Sequence, residues 1–230
     1  MDINTDKQNA LFWDMNISVR VQDIISGNDI TYNTVVIPYI KQEVKQLVCS
    51  SDTILDIGCG SGILTNILAK SCKVIGLDIS PESIAFCKKS YPNISFICKS
   101  IFQYHPKVLF DTCFAVLVLH CMEDLSKFYH SVNLLLRTGG SLLIVIPHPC
   151  FWPYHKIESF INYSSAEKYI LPFRIKNNHH YPSNMLYFHR TLSEYINRAA
   201  QNDLHIEKIE ELFEKGRSKS DLISLIFRKH

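Results

Sequence analysis

The sequence predicts an α/β fold: a mostly parallel sheet with helices on both faces. Three observations lead there. Short apolar runs recur at 53–57, 73–78, 94–98, 111–118 and 141–146 without clean polar–apolar alternation, as strands buried on both faces require. Segments with helical apolar spacing alternate with these runs, the pattern of parallel strands joined by crossovers. The first run also ends in a glycine-rich turn, ILDIGCGSG at 54–62, followed by helix-spaced Ile63, Leu64, Ile67 and Leu68. Right-handed crossovers then distribute the helices over both sides of the sheet.

In chain order, residues 6–26 carry Leu11, Met15, Val19, Ile24 and Ile25 at helical spacing and end at Gly27-Asn28-Asp29. A second helix is expected over 34–49, with Val36, Ile40 and Val44 on one face. Strand 53–57 leads to helix 62–70, and strand 73–78 to helix 81–89, whose start is marked by Ser80 and Pro81. Strand 94–98 precedes an irregular stretch around Pro106. Strand 111–118 leads to helix 124–136, broken by Thr138-Gly139-Gly140, and then strand 141–146. Residues 147–190 interrupt the rhythm with five prolines and many aromatic side chains. A helix resumes at 191–203, where Thr191 and Glu194 form a capping box, and strands 205–212 and 222–228 follow. The expected organisation is one domain: a helical cap (1–50), a ligand-binding core (51–146), an inserted lid (147–190) and a closing helix with two strands (191–230).

Bulk properties narrow the function. The 230 residues, 47% apolar, suit one domain with a sizeable core. Lysine and arginine number 24 against 22 acids, a net charge of +2, so no strong field draws nucleic acid or an anionic membrane. No apolar run reaches the ~18–20 residues of a spanning helix. The polar start MDINTDKQN argues against a secretion signal. Eight cysteines with no C-x-x-C pair argue for reduced thiols, a cytoplasmic setting and no zinc site.

The glycine turn holds the chemistry. Asp56 precedes Gly58, Gly60 and Gly62 at alternate positions. A dinucleotide loop needs a third glycine three residues after the second, and Ile63 stands there instead. Asp78 ends the second strand 18 residues after Gly60, the distance at which an acid accepts hydrogen bonds from ribose hydroxyls. Asp78 also suits a helix cap together with Ser80, and both roles are compatible.

The D-x-G-x-G-x-G pattern at 56–62, the acid at Asp78 and the stretch FDTCFAVLVLHCMED at 110–124 together resemble the class I S-adenosylmethionine-dependent methyltransferases, and the likeness covers essentially the whole chain. The resemblance implies a Rossmann-like, doubly wound seven-stranded sheet in the order 3-2-1-4-5-7-6, with strand 7 antiparallel. It implies S-adenosyl-L-methionine as cofactor and S-adenosyl-L-homocysteine as product. Gly58, Cys59, Gly60 and Gly62 would border the methionine end, with Asp56 steadying the loop and reaching the cofactor's amino group. Asp78 and Ile79 would hold ribose and adenine. Ser100 and Ile101 occupy the place where the family often has an aspartate for the adenine amine; a serine hydroxyl can still accept a hydrogen bond. Ala115 and Val116 would pass the cofactor, with His120 at the site rim or capping the next helix. Tyr32 lies where many relatives place a cofactor-facing tyrosine, or else packs in the core.

Methyl transfer from a sulfonium needs alignment and exclusion of water, and a base only where the acceptor must lose a proton. His148, held between Pro147 and Pro149 just after the fifth strand, is the leading candidate for that base; a histidine bonded to a neighbouring loop is the alternative. Tyr187, His189 and Arg190 end the insertion, and one of them is expected to face the substrate. His155 and His179-His180 read as exposed loop residues, and the spacing of His148 and His155 does not suit a metal. The aromatic insertion reads as a lid over an apolar pocket or as a dimer arm, in a monomer or homodimer. The expected function is methyl transfer to an oxygen, nitrogen or carbon of a small organic molecule in natural-product metabolism, without nucleic-acid or membrane partners. Methylation of RNA or protein would call for a basic face or a recognition domain, and AVLVLH replaces the N-P-P-Y signature of nucleic-acid enzymes. A non-catalytic cofactor-binding subunit is the remaining alternative, and retention of both acids speaks against it.

Overall fold

Seven strands lie side by side in one sheet and two more form a separate hairpin among the residues that the computed structural model describes, 5–152, 163–164, 166–173 and 181–230. Helix α1 covers Thr5–Ile25, and a π-helical turn at Tyr32–Val36 runs straight into α2, Ile37–Leu47. Then come β1 (Thr53–Ile57), α3 (Ile63–Leu68), β2 (Lys73–Asp78), α4 (Pro81–Ser90), β3 (Ser95–Cys98), β4 (Phe110–Val116), α5 (Leu125–Leu135) and β5 (Leu136–Pro147). A hairpin of β6 (Lys168–Pro172) and β7 (Asn184–Phe188) precedes α6 (Leu192–Ala200), β8 (Leu204–Leu212) and β9 (Leu222–Lys229).

The sheet order is β3-β2-β1-β4-β5-β9-β8. The first five strands pair in parallel, and β9 is antiparallel to both β5 and β8. This is the expected order, with β9 in the place of strand 7.

Burial on both faces explains the continuous apolar runs. Leu55 and Ile57 of β1, Cys113 and Ala115 of β4 and Leu142 and Ile144 of β5 pack with Phe128 and Val132 of α5 on one side. Their neighbours Ile54, Phe114, Leu143 and Val145 pack with Ile40 and Val44 of α2 on the other. Each of these three central strands therefore feeds two apolar layers and has no solvent face.

Three elements depart from the sequence reading. Thr138-Gly139-Gly140, expected as a break before a strand at 141, lies inside β5, which begins at Leu136 directly after α5 ends at Leu135. Phe110 pairs with Leu136 and Thr112 with Ser141, so β5 bulges through its glycines rather than turning. A Cβ on Gly140 would lie 2.8 Å from the Arg137 carbonyl, a contact only glycine avoids. Second, the insertion contains a regular hairpin, with Tyr169 opposite Tyr187 and Ile170 opposite Leu186. Third, the inward face of α1 is not the one its apolar spacing suggests. Leu11 and Met15 are 55% and 54% exposed, whereas Ile17, Val21 and Ile24 are buried.

Polar contacts set the position of α1. Asn9 Nδ2 donates to the Cys121 carbonyl (2.8 Å). Asp14 Oδ1 accepts from Ser80 Oγ (2.5 Å) and from the Glu82 amide (3.1 Å), so a side chain of α1 caps the start of α4. Asp14→Ala removes that cap and one anchor of α1. We expect it to lower unfolding free energy by about 1 kcal/mol in a urea titration; an unchanged midpoint would show that α1 is held without it.

Candidate active site

The site begins where β1 ends. Gly58 and Cys59 donate their amides to the Leu77 carbonyl of β2, at 2.7 and 3.0 Å, which hangs the glycine turn on the neighbouring strand. Gly58 has φ +70° and a Cβ there would lie 2.6 Å from the Val118 side chain, so no other residue fits. At Gly60, φ +51°, the same construction meets nothing within 4 Å: this glycine faces open space. The Gly60 amide donates to Asp78 Oδ2 (2.7 Å) and the Ser80 amide to Asp78 Oδ1 (2.9 Å). Burial raises the pKa of Asp78, and these backbone donors partly offset the rise. The carboxylate is thus aimed by two amides and keeps acceptor positions on both oxygens. Ser80 Oγ also accepts from the Ser83 amide, so the capping role read from the sequence belongs to Ser80.

A cavity of about 500 Å³ opens beyond the carboxyl ends of β1, β2 and β4, where the strand order reverses. Its volume lies in the range of small-molecule sites, about 300–1,000 Å³. Ten of the residues singled out from the sequence line it: Tyr32, Gly58, Cys59, Gly60, Asp78, Ile79, Ser100, Ile101, Val116 and His120. They form a cradle bordered by an open glycine, an acid at its side, and apolar Ile79 and Ile101 as walls for a flat ring. The cradle suits S-adenosylmethionine: Asp78 would take ribose hydroxyls, Ile79 and Ile101 the adenine, and Gly58 to Gly60 the methionine end.

Other residues singled out from the sequence do not line the cavity. Asp56 is 1% exposed and accepts from Thr65 Oγ1 of α3 (2.6 Å), so it steadies the turn from behind. Burial pushes its pKa up to about 7, with Asp78 adding to the rise and the Thr65 bond opposing it. Gly62 backs onto α4, where a Cβ would lie 2.8 Å from Cys87 Sγ. Ala115 points to the opposite face of β4, into the layer under α5. Strand alternation decides this: consecutive residues cannot share one face.

The proposed base, His148, is 3% exposed and turned away from the cavity. Its Nδ1 accepts from the Cys150 amide (3.2 Å), which leaves Nε2–H to donate to Glu211 of β8 (3.2 Å). Burial lowers its pKa and Glu211 partly restores it. His148 ties the loop after β5 to the sheet edge, the alternative reading of its sequence. His189 is likewise buried: Nε2–H donates to the Tyr163 carbonyl (3.2 Å), so Nδ1 accepts from the Tyr187 hydroxyl (3.1 Å). Tyr187 and His189 spend these polar atoms on each other and on the Tyr163 carbonyl, and neither residue lines the cavity. Arg190 donates to the carbonyls of Met122 (2.6 Å) and Glu123 (2.5 Å), binding the hairpin to the loop after β4. His155 and His179-His180 fall outside the described residues.

His120 does line the cavity. Its Nδ1 is buried and has no hydrogen-bond partner among the described residues. Burial, helped by the Arg190 cation, holds its pKa down at about 3, so the ring is neutral at any physiological pH. Its ring lies 6.3 Å from that of Tyr187, whose other neighbour, Trp152, is tilted at 42° with centroids 4.8 Å apart; Trp152 and Met185 line the same cavity.

Sequence reasoning missed the contribution of α1. Asp6, Trp13 and Arg20 line the cavity, as do Asp29 and the Glu214 and Arg217 pair between β8 and β9. The signal was present in α1 as a three- or four-residue spacing of polar and apolar side chains together. A search for apolar side chains alone passes over it. Among the described residues, no group of three histidine, cysteine or acidic side chains is arranged to hold a metal, and no helix is long and apolar enough to cross a membrane.

The sequence profile described as a methyltransferase domain matches residues 49–217, most of the chain. The chain therefore belongs to the class I S-adenosylmethionine-dependent methyltransferase family. It is 31% identical over 110 residues to a ubiquinone biosynthesis O-methyltransferase of Rhodopseudomonas palustris (strain BisB5), covering 45% of this chain and 44% of that one. It spans about half or less of the length of the curated relatives it matches. Its fold is similar to that of an S-adenosylmethionine-dependent methyltransferase from Clostridium acetobutylicum ATCC 824, with TM-score 0.70 at 15% identity over 92% of this chain and 97% of that one. It is also similar to the N-methyltransferase NodS of Bradyrhizobium japonicum WM9 in complex with S-adenosyl-L-homocysteine, with TM-score 0.56 at 18% identity over 84% and 88% of the two chains.

The Asp56 carboxyl gives this site a pH signature. A folded-state pKa near 7 against an ordinary 3.8 means that the folded protein holds a proton the unfolded chain releases. Stability from this group is present at low pH and is lost as pH rises from about 4 through about 7. Asp56→Asn removes the buried charge, so we expect melting temperature to rise on the order of 5 °C at pH 8 and the gain to vanish by pH 4. A gain independent of pH would contradict the assignment.

Proposed function

We propose that this protein transfers the methyl group of S-adenosylmethionine to an oxygen or nitrogen of a small organic molecule. The observation that carries the reading is that one cavity is lined both by Gly60 and Asp78 and by the large side chains of Trp13, Trp152, Phe173 and Met185, with His120 among them, so that acceptor space, called the chamber below, adjoins the cofactor cradle. Bound S-adenosylmethionine would supply the activated methyl group. The protein's part is then to align the acceptor and exclude water. Trp13 meets Phe173 edge to face at 5.1 Å, and Phe173 meets Tyr181 at 4.4 Å, so α1 and the hairpin close over the chamber with aromatic rings. These rings favour a flat, apolar acceptor.

His120 presents a neutral imidazole to that acceptor. A ring with a pKa near 3 is a weak base at neutral pH. Its role is to accept a hydrogen bond from the acceptor's O–H or N–H and so turn the lone pair toward the methyl donor. The O-methyltransferase relative supports an oxygen acceptor in particular, and specialised natural-product metabolism remains the setting we favour. RNA and protein acceptors fit less well, because large apolar side chains line the chamber and the net charge is only +2.

The test uses S-adenosylmethionine labelled in its methyl group, with panels of phenols, carboxylic acids and amines alongside RNA and protein fractions. We expect label in small molecules alone. With the best acceptor, His120→Ala should lower kcat/KM about 10- to 100-fold while leaving the cofactor Kd within twofold. Label in macromolecules, or full turnover in His120→Ala, would contradict the proposal.

A further inference from the structure

Two polar atoms in the wall around His120 have unmade hydrogen bonds. Asn9 and His120 both line the cavity and are 8% and 5% exposed. Asn9 Nδ2 donates to the Cys121 carbonyl (2.8 Å), and His120 is the residue before Cys121, so the two side chains share one stretch of wall. That bond settles the orientation of the amide, because an oxygen in the same place would face another acceptor. Asn9 Oδ1 is the atom left over, and it has no hydrogen-bond partner among the described residues. His120 Nδ1 is in the same condition. The ring is neutral, so one of its nitrogens carries the proton and the other is bare. A buried N–H without a partner is rarer than a buried lone pair without one, which makes Nδ1 the bare nitrogen.

The wall therefore holds two acceptors and a donor for neither. Buried polar groups in folded proteins are nearly always paired, and an exception calls for a reason. Here both exceptions stand in the lining of one cavity, so what fills the cavity must bring the donors.

Their neighbours place them at the acceptor end. Trp13 follows Asn9 by one helical turn on the same face of α1, and it joins the aromatic wall through Phe173. The His120 ring stands on the hairpin side, beside Tyr187. The cofactor cradle is built by other elements, the glycine turn and the end of β2.

We propose that Asn9 Oδ1 and His120 Nδ1 form a two-acceptor clamp, which selects a methyl acceptor with two hydrogen-bond donors at its reacting end: a primary amine or two neighbouring hydroxyls. The proposal rests on the reading of this cavity as a methyl-transfer site and names the class of acceptor it takes. A molecule with one donor leaves one of the two buried groups unmet. A site built to bond an O–H or N–H discriminates strongly against an analogue that lacks it.

The clamp also limits the reaction to one methyl group. In the transfer the carbon–sulfur bond breaks and its electron pair returns to sulfur. A lone pair of the acceptor forms the new bond to carbon, and the displaced proton passes to solvent water. The product has one donor fewer than the substrate. It is held less tightly and leaves before a second transfer.

The test is isothermal titration of the full chain loaded with S-adenosyl-L-homocysteine. The probes are two matched pairs: 1,2-dihydroxybenzene against 2-methoxyphenol, and aniline against N-methylaniline. In at least one pair the two-donor member should bind about 10- to 100-fold more tightly than its methylated counterpart. Which pair shows the preference distinguishes hydroxyls from an amine. Asn9→Ala and His120→Phe should each erase most of that preference and leave the Kd of S-adenosyl-L-homocysteine within about twofold. His120→Phe fills the space of the ring, so it keeps the test decisive if Asn9→Ala disturbs α1. Equal binding within both pairs, no binding of any probe, or a preference that survives in His120→Phe would overturn the clamp and leave the cofactor reading standing. A chain that does not bind S-adenosyl-L-homocysteine would overturn the reading on which the clamp rests.

Discussion

The turn after β1 hangs from the end of β2, and the site depends on that suspension. Two amides of the turn share the Leu77 carbonyl, and a third, from Gly60, reaches the Asp78 carboxylate. The same carboxylate accepts from Ser80 at the start of α4. Three elements are thereby tied to one acid: the turn into α3, the end of β2 and the first turn of α4. Asp78 is aimed before any ligand arrives, so little ordering is left to be done on binding. Asp56 completes the frame from behind through Thr65, at the cost of a buried carboxyl.

The sheet supplies a rigid floor for this frame. Because every central strand contributes to two apolar layers, a shift of one strand would disturb both. The ligand-facing parts are carried on elements that cross the floor: α1, the loop after β4 and the β6–β7 hairpin. They are joined to one another by polar contacts, with Asn9 on the Cys121 carbonyl and Arg190 on those of Met122 and Glu123. Such contacts can be exchanged at small net cost, unlike the packed core. The division suits a protein that must admit and enclose a small molecule.

What could be read from the sequence follows the range of the interactions involved. The strand order follows from local patterns and is found as expected, and the glycine turn and Asp78 stand together at the cavity, with Gly62 and Asp56 behind it. Asp6 and Ser100 lie 94 residues apart, and no local pattern joins them. Arg20 escaped notice because α1 turns a mixed polar and apolar stripe inward, while its exposed Leu11 and Met15 suggest a different face. His148 illustrates the converse. Its place after β5 was legible and the direction of its ring was not, because Glu211 on a distant strand decides it. The hairpin was hidden in the same way: Lys168–Pro172 and Asn184–Phe188 are short apolar runs in a proline-rich stretch, and only their mutual pairing makes them strands.

The central claim is that one ligand lies along the face shared by the glycine turn, Asp78 and α1. Amide chemical-shift mapping of the isotope-labelled protein with S-adenosyl-L-homocysteine tests it most directly. The account predicts the largest shifts at Gly58, Gly60, Ile79, Ser100 and along the inward stripe of α1, with His148 and His189 nearly unmoved. Saturable shifts centred on His148 and the edge strand β8, with Gly60 and α1 unaffected, would contradict it.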